Sequence, residues 1–239
     1  MRVSALALLG VLAAAGTAAA STFSISPIRL ELSSTKTTAV LAVHNQDNSP
    51  VVVQAQPFAW SQVHGEDQLD ETHDVLVTPP VFTLPPQGEQ IVRVALRSPA
   101  DASRELDYRL VLDEVLPEKP ADFTGLRVAL RVTLPVFVTA QSHAAPDLSW
   151  HHRWLGDGAL QIEARNGGAA HIQVRDLDVQ TADRASRKLH SDTAHYILPG
   201  SFARWQLRGL SPGATPNRVI VRGHSDAGDF TVTSDAEIE

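Results

Sequence analysis

Residues 125–140 read GLRVALRVTLPVFVTA, and every second side chain of this stretch is aliphatic. A period of two is that of a β-strand, whose successive side chains point to opposite faces. The run is about twice the usual strand length of ~5–6 residues. It contains Pro135, which cannot donate a ladder hydrogen bond and therefore belongs on an edge or at a strand end. The aliphatic positions are Leu126, Val128, Leu130, Val132, Leu134, Val136 and Val138.

Two explanations of this long aliphatic strand are open. In the first, it is a sandwich-core strand that its own domain buries. In the second, it is an exposed edge that pairs with an incomplete partner, a binding mode known as β-augmentation. Long aliphatic edges promote aggregation and are usually removed by selection, so a retained one suggests a binding partner.

The first 20 residues have the features of a secretory signal peptide. One charge at Arg2 precedes an apolar segment over residues 5–13, and the small residues Ala18 and Ala20 predict cleavage before Ser21. No later segment approaches the ~18 consecutive apolar residues of a transmembrane helix. We therefore predict an exported chain that is not embedded in the membrane.

The composition excludes several kinds of chemistry. The sequence has no cysteine, so neither disulfides nor thiolate catalysis are available. Removing the predicted signal peptide takes Arg2 and no acidic residue, which leaves 19 basic and 27 acidic residues and a net charge of −8. Affinity for nucleic acid comes from clustered Lys and Arg, so no nucleic-acid partner is expected.

Short runs rich in Val, Ile, Leu and Thr recur along the chain, with Pro and Gly between them. This spacing is typical of β-sandwiches, which have about seven strands in ~100 residues. We predict an all-β protein of two sandwich domains, residues 21–142 and 143–239. The runs are 23–32, 38–44, 51–60, 75–77, 90–97 and 108–115 before the opening stretch, and 148–155, 160–164, 171–179, 188–190, 195–198, 202–207, 218–222 and 229–233 after it.

Two turn signals stand out within these domains. The Asn-Gly-Gly sequence at 166–168 is expected to form a tight turn with positive φ. The Pro-Pro pairs at 79–80 and 85–86 are expected to bracket a short edge strand, where proline is tolerated.

No motif supports catalysis or a cofactor. The G-x-S-x-G turn and the glycine-rich phosphate-binding patterns are absent, so we predict that the protein is not an enzyme. His151 and His152 would point to opposite faces of a strand, so no metal is expected there. The acidic residues between 66 and 74 lack the order of a calcium loop and predict a solvated loop. Core and domain-junction packing is the simpler role for Trp60, Trp150, Trp154 and Trp205.

Several segments together resemble the periplasmic pilus chaperones of chaperone–usher pathways. The resemblance covers essentially the whole mature chain. The endings LPVFV and LPGSFARW are similar to the archaic branch, whose clients resemble spore-coat-protein-U pilins. The segments are ISPIRLEL at 25–32, TPPVFTLPPQGEQIVRV at 78–94, ELDYRLVLDEV at 105–115, LRVALRVTLPVFV at 126–138, ARNGGAAHIQV at 164–174 and YILPGSFARW at 196–205.

The resemblance implies two immunoglobulin-like domains in an L or boomerang arrangement and a location in the periplasm. A pilin subunit lacks the last strand of its own fold, and the chaperone lends it one. The partners would be pilin subunits and an outer-membrane usher, with no cofactor or ATP, and self-association of the free chaperone is left open. The donor strand would use Leu126, Val128, Leu130, Val132 and Leu134.

The family's cleft also holds two basic residues that bind the C-terminal carboxylate of the pilin. Arg29 in ISPIRLEL matches one of them. The second, a lysine late in the donor strand, falls near Pro135 here, so this sequence departs from the pattern. Arg109 on the preceding strand is the expected substitute, because the planar fork of arginine pairs bidentately with carboxylate.

Two alternatives come from other classes of protein. An immunoglobulin-like pilin or adhesin would carry a detachable N-terminal extension of alternating apolar residues, and residues 21–26 are too short for one. A metalloenzyme sandwich would carry an H-x-H spacing, which does not occur in the sequence.

Overall fold

The part of the chain that the computed structural model describes contains seventeen strands, joined by turns and loops, and no helix. The described residues are 23–97, 99–101, 103–118, 124, 126–140, 143–156, 158–181, 186–209 and 218–234, without the side chains of 187 and 189–194. The predicted signal peptide and its cleavage site lie outside these residues. The strands are β1 (Phe23–Ser26), β2 (Leu30–Leu32), β3 (Thr38–Asn45), β4 (Val51–Val63), β5 (Glu66–Glu71), β6 (Val75–Thr78), β7 (Val81–Leu84), β8 (Glu89–Leu96), β9 (Leu106–Val115), β10 (Arg131–Val138), β11 (Leu148–Trp154), β12 (Leu160–Asn166), β13 (Ile172–Thr181), β14 (Ser186–Ile197), β15 (Phe202–Leu207), β16 (Val219–Ser225) and β17 (Gly228–Ser234).

The first ten strands form one sandwich. One sheet has the order β1-β3-β8-β6, and the other has the order β2-β10-β9-β4-β5, with β7 paired to β4. Alternate residues of each strand face the partner sheet, as in β3 and β9, where Leu41, Val43, Leu110 and Leu112 are fully buried. The short strand β7 pairs only with β4 among the described strands, which confirms the edge strand predicted between the two Pro-Pro pairs.

The remaining strands form a second sandwich with its own core. Its sheets have the orders β11-β12-β15 and β14-β13-β16-β17. Leu160, Ile162, Val179, Ile197 and Val221 fill the space between them. The all-β class is therefore confirmed, and the change from one sandwich to the other falls between Val138 and Leu148. No helix in the described residues is long and apolar enough to cross a membrane.

The opening stretch is not one continuous strand. Only Arg131–Val138 forms β10, and residues 126–130 lie outside any strand. β10 pairs with β9 along its whole length, but its other side pairs with β2 only from Val136 to Val138. Pro135 therefore stands at the last position before β10 becomes an interior strand, where its missing N–H interrupts no ladder.

The acidic run predicted to be a solvated loop is instead a strand. Residues Glu66–Glu71 form β5, which pairs with the end of β4. His64 and Gly65 connect the two strands with φ values of 56° and 83°, as a tight hairpin turn requires. All six residues of β5 are exposed, and the charged side chains at this sheet edge oppose pairing with another chain. Because neither face of β5 is buried, the sequence shows no apolar alternation there.

The prediction for residues 166–168 was also wrong, because neither glycine has a positive φ. β12 and β13 belong to different sheets, so no tight hairpin joins them. The fully buried Asn166 organises the connection instead. Its side chain donates to the carbonyl oxygens of Ala170 (2.8 Å) and Ile197 (3.0 Å) and accepts from the backbone N–H of Gly168 (3.0 Å).

Gly168 is required because another part of the backbone comes close to it. A Cβ added there would overlap backbone atoms of Ala145, Pro146 and Asp147, whereas one added at Gly167 would meet only the Asp147 oxygen at 3.9 Å. We expect Gly168→Ala to destabilise the protein by about 1–3 kcal/mol, the usual cost of overpacking. Gly167→Ala is the matched control, and thermal melting of the two variants makes the comparison. Equal melting temperatures would contradict this account.

Candidate functional site

The aliphatic residues Leu126, Val128, Leu130 and Val132 form a ridge that precedes β10 and continues into its first residues. Leu126 is 78% exposed and Val128 is 55% exposed, while Leu130 and Val132 are partly buried against the core. Leu134 is only 4% exposed and packs inside the core with Val136 and Val138. The ridge is therefore continuous with the core of its own domain, which buries the second half of the opening stretch and leaves the first half exposed.

The position of Leu134 corrects its assignment to the donor set. The side chain packs in the core of its own domain and is almost completely buried. The first four aliphatic residues, from Leu126 to Val132, remain as candidates.

Hydrogen bonds to the end of β9 hold the base of the ridge. The Leu130 carbonyl accepts from the Glu114 backbone N–H at 2.9 Å, and the Leu130 N–H donates to the Glu114 carboxylate at 3.0 Å. On the opposite side, no strand among the described residues pairs with positions 131–135. That row of backbone groups is open to an additional strand.

An aromatic cluster joins the two sandwiches beside the buried end of β10. Trp60, Phe137 and Leu198 are buried together, with Tyr196 packed against them. The ring of His171, from the second sandwich, stacks on Phe137 with 3.5 Å between centroids. These contacts confirm the prediction of core and junction roles for the tryptophans, since Trp60 lies at the junction and Trp150 stacks on Trp205 in the second core.

Arg29 lies just before β2 and reaches across the junction. Its Nη1 donates to Asp226 Oδ2 at 2.9 Å, in the turn between β16 and β17, and its Nε lies 3.1 Å from Glu31 Oε1. The guanidinium carbon is 4.9 Å from the centre of the Phe137 ring. Burial opposes the charge, but the hydrogen bond to Asp226 and the field of Glu31 outweigh it and raise the pKa of Arg29.

Arg109 lies on β9 in register with Pro135, one strand away from the position where the family's lysine was expected. Its guanidinium carbon is 3.5 Å from the centre of the Trp60 ring and 5.5 Å from that of Tyr196. Burial is the largest influence and lowers the pKa of Arg109, with partial compensation from Asp67. The charges of both Arg29 and Arg109 act on the Tyr196 hydroxyl, so the fold brings these cations to the same aromatic cluster.

A second charged group at the junction has no signal in the sequence. Glu105, which precedes β9, accepts from the His171 backbone N–H at 2.9 Å and lies 2.5 Å from His171 Nδ1. His171 Nε2 is 3.6 Å from Asp226 Oδ2. Asp107 lies beside Glu105, and burial together with the Glu105 charge raises the pKa of Asp107 to about 8. A local sequence motif cannot reveal this group, because His171 is more than 60 positions from Glu105 and Asp107, and Asp226 is more than 50 positions from His171.

The group formed by Glu105, Asp107 and His171 could also hold a divalent cation, since its ligand atoms lie within 4.8 Å of one another. The hydrogen bonds between Glu105 and His171 already use two of these ligands. Of the histidine pair considered from sequence, His152 is buried and its Nδ1 lies 2.9 Å from Ser234 Oγ.

The charged group at the junction predicts that stability falls as pH rises from acidic to mildly alkaline values. Burial lowers the pKa of His171, but its bonds to Asp226 and Glu105 outweigh this effect and raise it. Folded Asp107 retains its proton up to pH about 8, whereas an unfolded aspartate loses it near pH 4. Both groups bind more protons in the folded state between their unfolded and folded pKa values, so the free energy of unfolding decreases over that range and levels off above the folded pKa.

We expect the melting temperature to be lower at pH 9 than at pH 6 by about 3 °C or more, which corresponds to ~1 kcal/mol for a protein of this size. Asp107→Asn should flatten this dependence, because an amide cannot ionise. Asp70→Asn on the exposed strand β5 is the control and should behave like the wild type. If Asp107→Asn leaves the dependence of the melting temperature on pH unchanged, Asp107 is not the source of that dependence.

The comparisons with known proteins extend over both sandwiches. Residues 22–142 match the family model for the pili and flagellar-assembly chaperone, PapD N-terminal domain. The comparison with curated proteins finds no match.

Several solved structures share the whole fold. The CsuC–CsuE chaperone–tip adhesion subunit pre-assembly complex from archaic chaperone-usher Csu pili of Acinetobacter baumannii matches at 18% identity and a TM-score of 0.66, covering 91% of this chain and 100% of that chain. The YadV chaperone matches at 17% identity and 0.63, covering 88% and 98%. The SafA pilin–SafB chaperone complex of Salmonella enterica matches at 16% identity and 0.61, covering 89% and 95%. These matches confirm the fold of two immunoglobulin-like domains.

Proposed function

Because this chain belongs to the family of pili and flagellar-assembly chaperones, we propose that it binds pilin subunits in the periplasm by donor-strand complementation and delivers them to an outer-membrane usher. The ridge from Leu126 to Val132 carries the proposal. It combines exposed aliphatic side chains with the edge of β10 before Val136, which is unpaired among the described strands. An immunoglobulin-like subunit that is missing its last strand needs both from a partner.

The size of the ridge is sufficient for this task. Burying the exposed Leu126 and Val128 contributes roughly 3–6 kcal/mol, at ~1.5–3 kcal/mol each, and Leu130 and Val132, which are already partly buried, add less. The costs of association and of ordering the segment reduce this gain. The chaperone acts without catalysis or ATP in this proposal, since transfer requires only that the subunit exchange one strand for another.

We assign the anchoring of the subunit's C-terminal carboxylate to Arg29 and Arg109. Both guanidinium groups lie at the aromatic cluster where the open half of β10 ends. Arg109 is in register with Pro135, so it supplies a cation one strand away from the missing lysine. Both arginines already contact carboxylates of this chain, which supports a preference for that chemical group.

The test is to purify the tagged protein from the periplasm and identify by mass spectrometry what accompanies it. Recovery of small all-β subunits in equal amounts supports the proposal. Recovery of the protein as a component of surface fibres would support the alternative of a structural pilin or adhesin, and a protein that never carries a subunit would overturn the proposed function.

A further inference from the structure

Asp67 on β5 lies on the same side of its sheet as the proposed anchor Arg109. It is in register with Gln62 of β4, whose Nε2 donates to Asp67 Oδ1 at 2.9 Å. The other carboxylate oxygen, Oδ2, accepts from Arg109 Nη2 at 3.3 Å. Asp67 is 47% exposed, whereas the Arg109 side chain is only 13% exposed. A surface carboxylate therefore neutralises a buried guanidinium.

The contact between them is a weak one for its type. A charge-assisted N–H to carboxylate hydrogen bond is usually 2.7–2.9 Å long, and arginine binds carboxylate best through two parallel bonds. Asp67 makes a single bond that is longer than this. Trp60 holds the guanidinium in place from one face at 3.5 Å, so its orientation does not depend on Asp67.

Space for another carboxylate exists beside this contact. A cavity of about 660 Å³ between the two sandwiches is lined by Arg109, Asp67, Trp60 and Tyr196, among other residues. A group entering this cavity would meet the arginine and Asp67 together.

We propose that Asp67 is a resident competitor that occupies Arg109 in the free chaperone and is displaced by the C-terminal carboxylate of the subunit. The identity of the incoming carboxylate rests on the proposed function. Asp67 then sets a threshold, because only a carboxylate that the rest of the subunit holds in place competes with one that is tethered to the hairpin. Isolated carboxylates in the periplasm would bind poorly for the same reason.

The test uses acetate as the probe and requires no subunit. The mature protein is titrated with sodium acetate at constant ionic strength, and the Arg109 Nε–Hε resonance is followed by NMR. Asp67→Asn keeps an oxygen that can accept from Gln62 but removes the charge. The half-saturating acetate concentration should fall by about threefold or more, as expected when a state that blocks the site most of the time is removed.

Asp70→Asn is the matched control, because Asp70 lies on the same strand in register with Ala59 and projects from the opposite face of the sheet. It should leave the half-saturating concentration as in the wild type, and Asp67→Ser should repeat the result of Asp67→Asn. An unchanged or higher concentration in both Asp67 variants overturns the inference. Because no subunit takes part, this outcome is separate from a failure to recover subunits from the periplasm, which would overturn the proposed function.

Discussion

Replacing Val128 with aspartate is expected to abolish the recovery of subunits from the periplasm while the chaperone itself stays folded. Val128 is more than half exposed in the free chain, so the new carboxylate remains in water until a subunit closes over it. Burying an unpaired carboxylate then costs several kcal/mol, which is comparable with the net gain from the whole ridge. We expect no detectable subunit in pull-downs with this variant.

Ala129→Asp is the matched control, because it adds the same charge at the next residue, which is also exposed but is not one of the aliphatic positions of the ridge. It should retain most of the subunit. Leu130→Asp is expected to abolish binding too, but Leu130 packs partly against the core, so this variant also tests stability. If the Val128 variant melts like the wild type and still carries subunits, the ridge is not the donor.

Arg29→Ala is expected to cost ~3–5 kcal/mol of complex stability, the typical cost of leaving one buried charge without its partner. The subunit's carboxylate would be that charge. Arg29→Lys should restore only part of the binding, because a point charge cannot reproduce the two-bond fork. Subunit recovery with each variant is the measurement, with thermal melting of the free protein as the folding control.

The free protein will also respond to this change, because Arg29 bonds Asp226 and Glu31 in the absence of a subunit. Arg222→Ala is a suitable control, since this arginine lies on β16 of the second sandwich and, among its described partners, bonds only Gln180 in an exposed contact. Arg109→Ala should weaken subunit recovery to a similar extent. The loss of binding in the double variant should be smaller than the sum of the two single losses, as is usual for residues that share one partner. Wild-type recovery with Arg29→Ala would exclude the anchor role.

The period-two pattern of the opening stretch predicted the existence of β10 but not its ends. All seven aliphatic positions have the same pattern, yet those from 134 onward are buried and those before 130 are exposed. The difference arises from contacts with segments distant in sequence, because the side chains from Leu134 onward pack into the core of the sandwich and β2 pairs with Val136–Val138. No local pattern contains that information.

Other features were hidden for different physical reasons. β5 has no apolar alternation because neither of its faces is buried, so only the His-Gly turn before it could have indicated a hairpin. The assembly of Glu105 with His171 depends on how two domains dock, and nothing in either segment alone reports it. Arg109 was identified as a substitute anchor from the departure at Pro135, and the assignment stays a prediction.

The junction between the sandwiches has a consequence for how the protein unfolds. If either sandwich opened alone, the protein would lose the aromatic packing around Phe137 and the bonds of Arg29 and Glu105 to the second sandwich. It would also lose the hydrogen bonds between the Gln62 side chain and the backbone of Tyr196 and Leu198. Each sandwich therefore increases the unfolding free energy of the other, and we expect denaturation to be one cooperative transition. A substitution that weakens the junction should then change the hydrogen-exchange rates of both cores in the same direction.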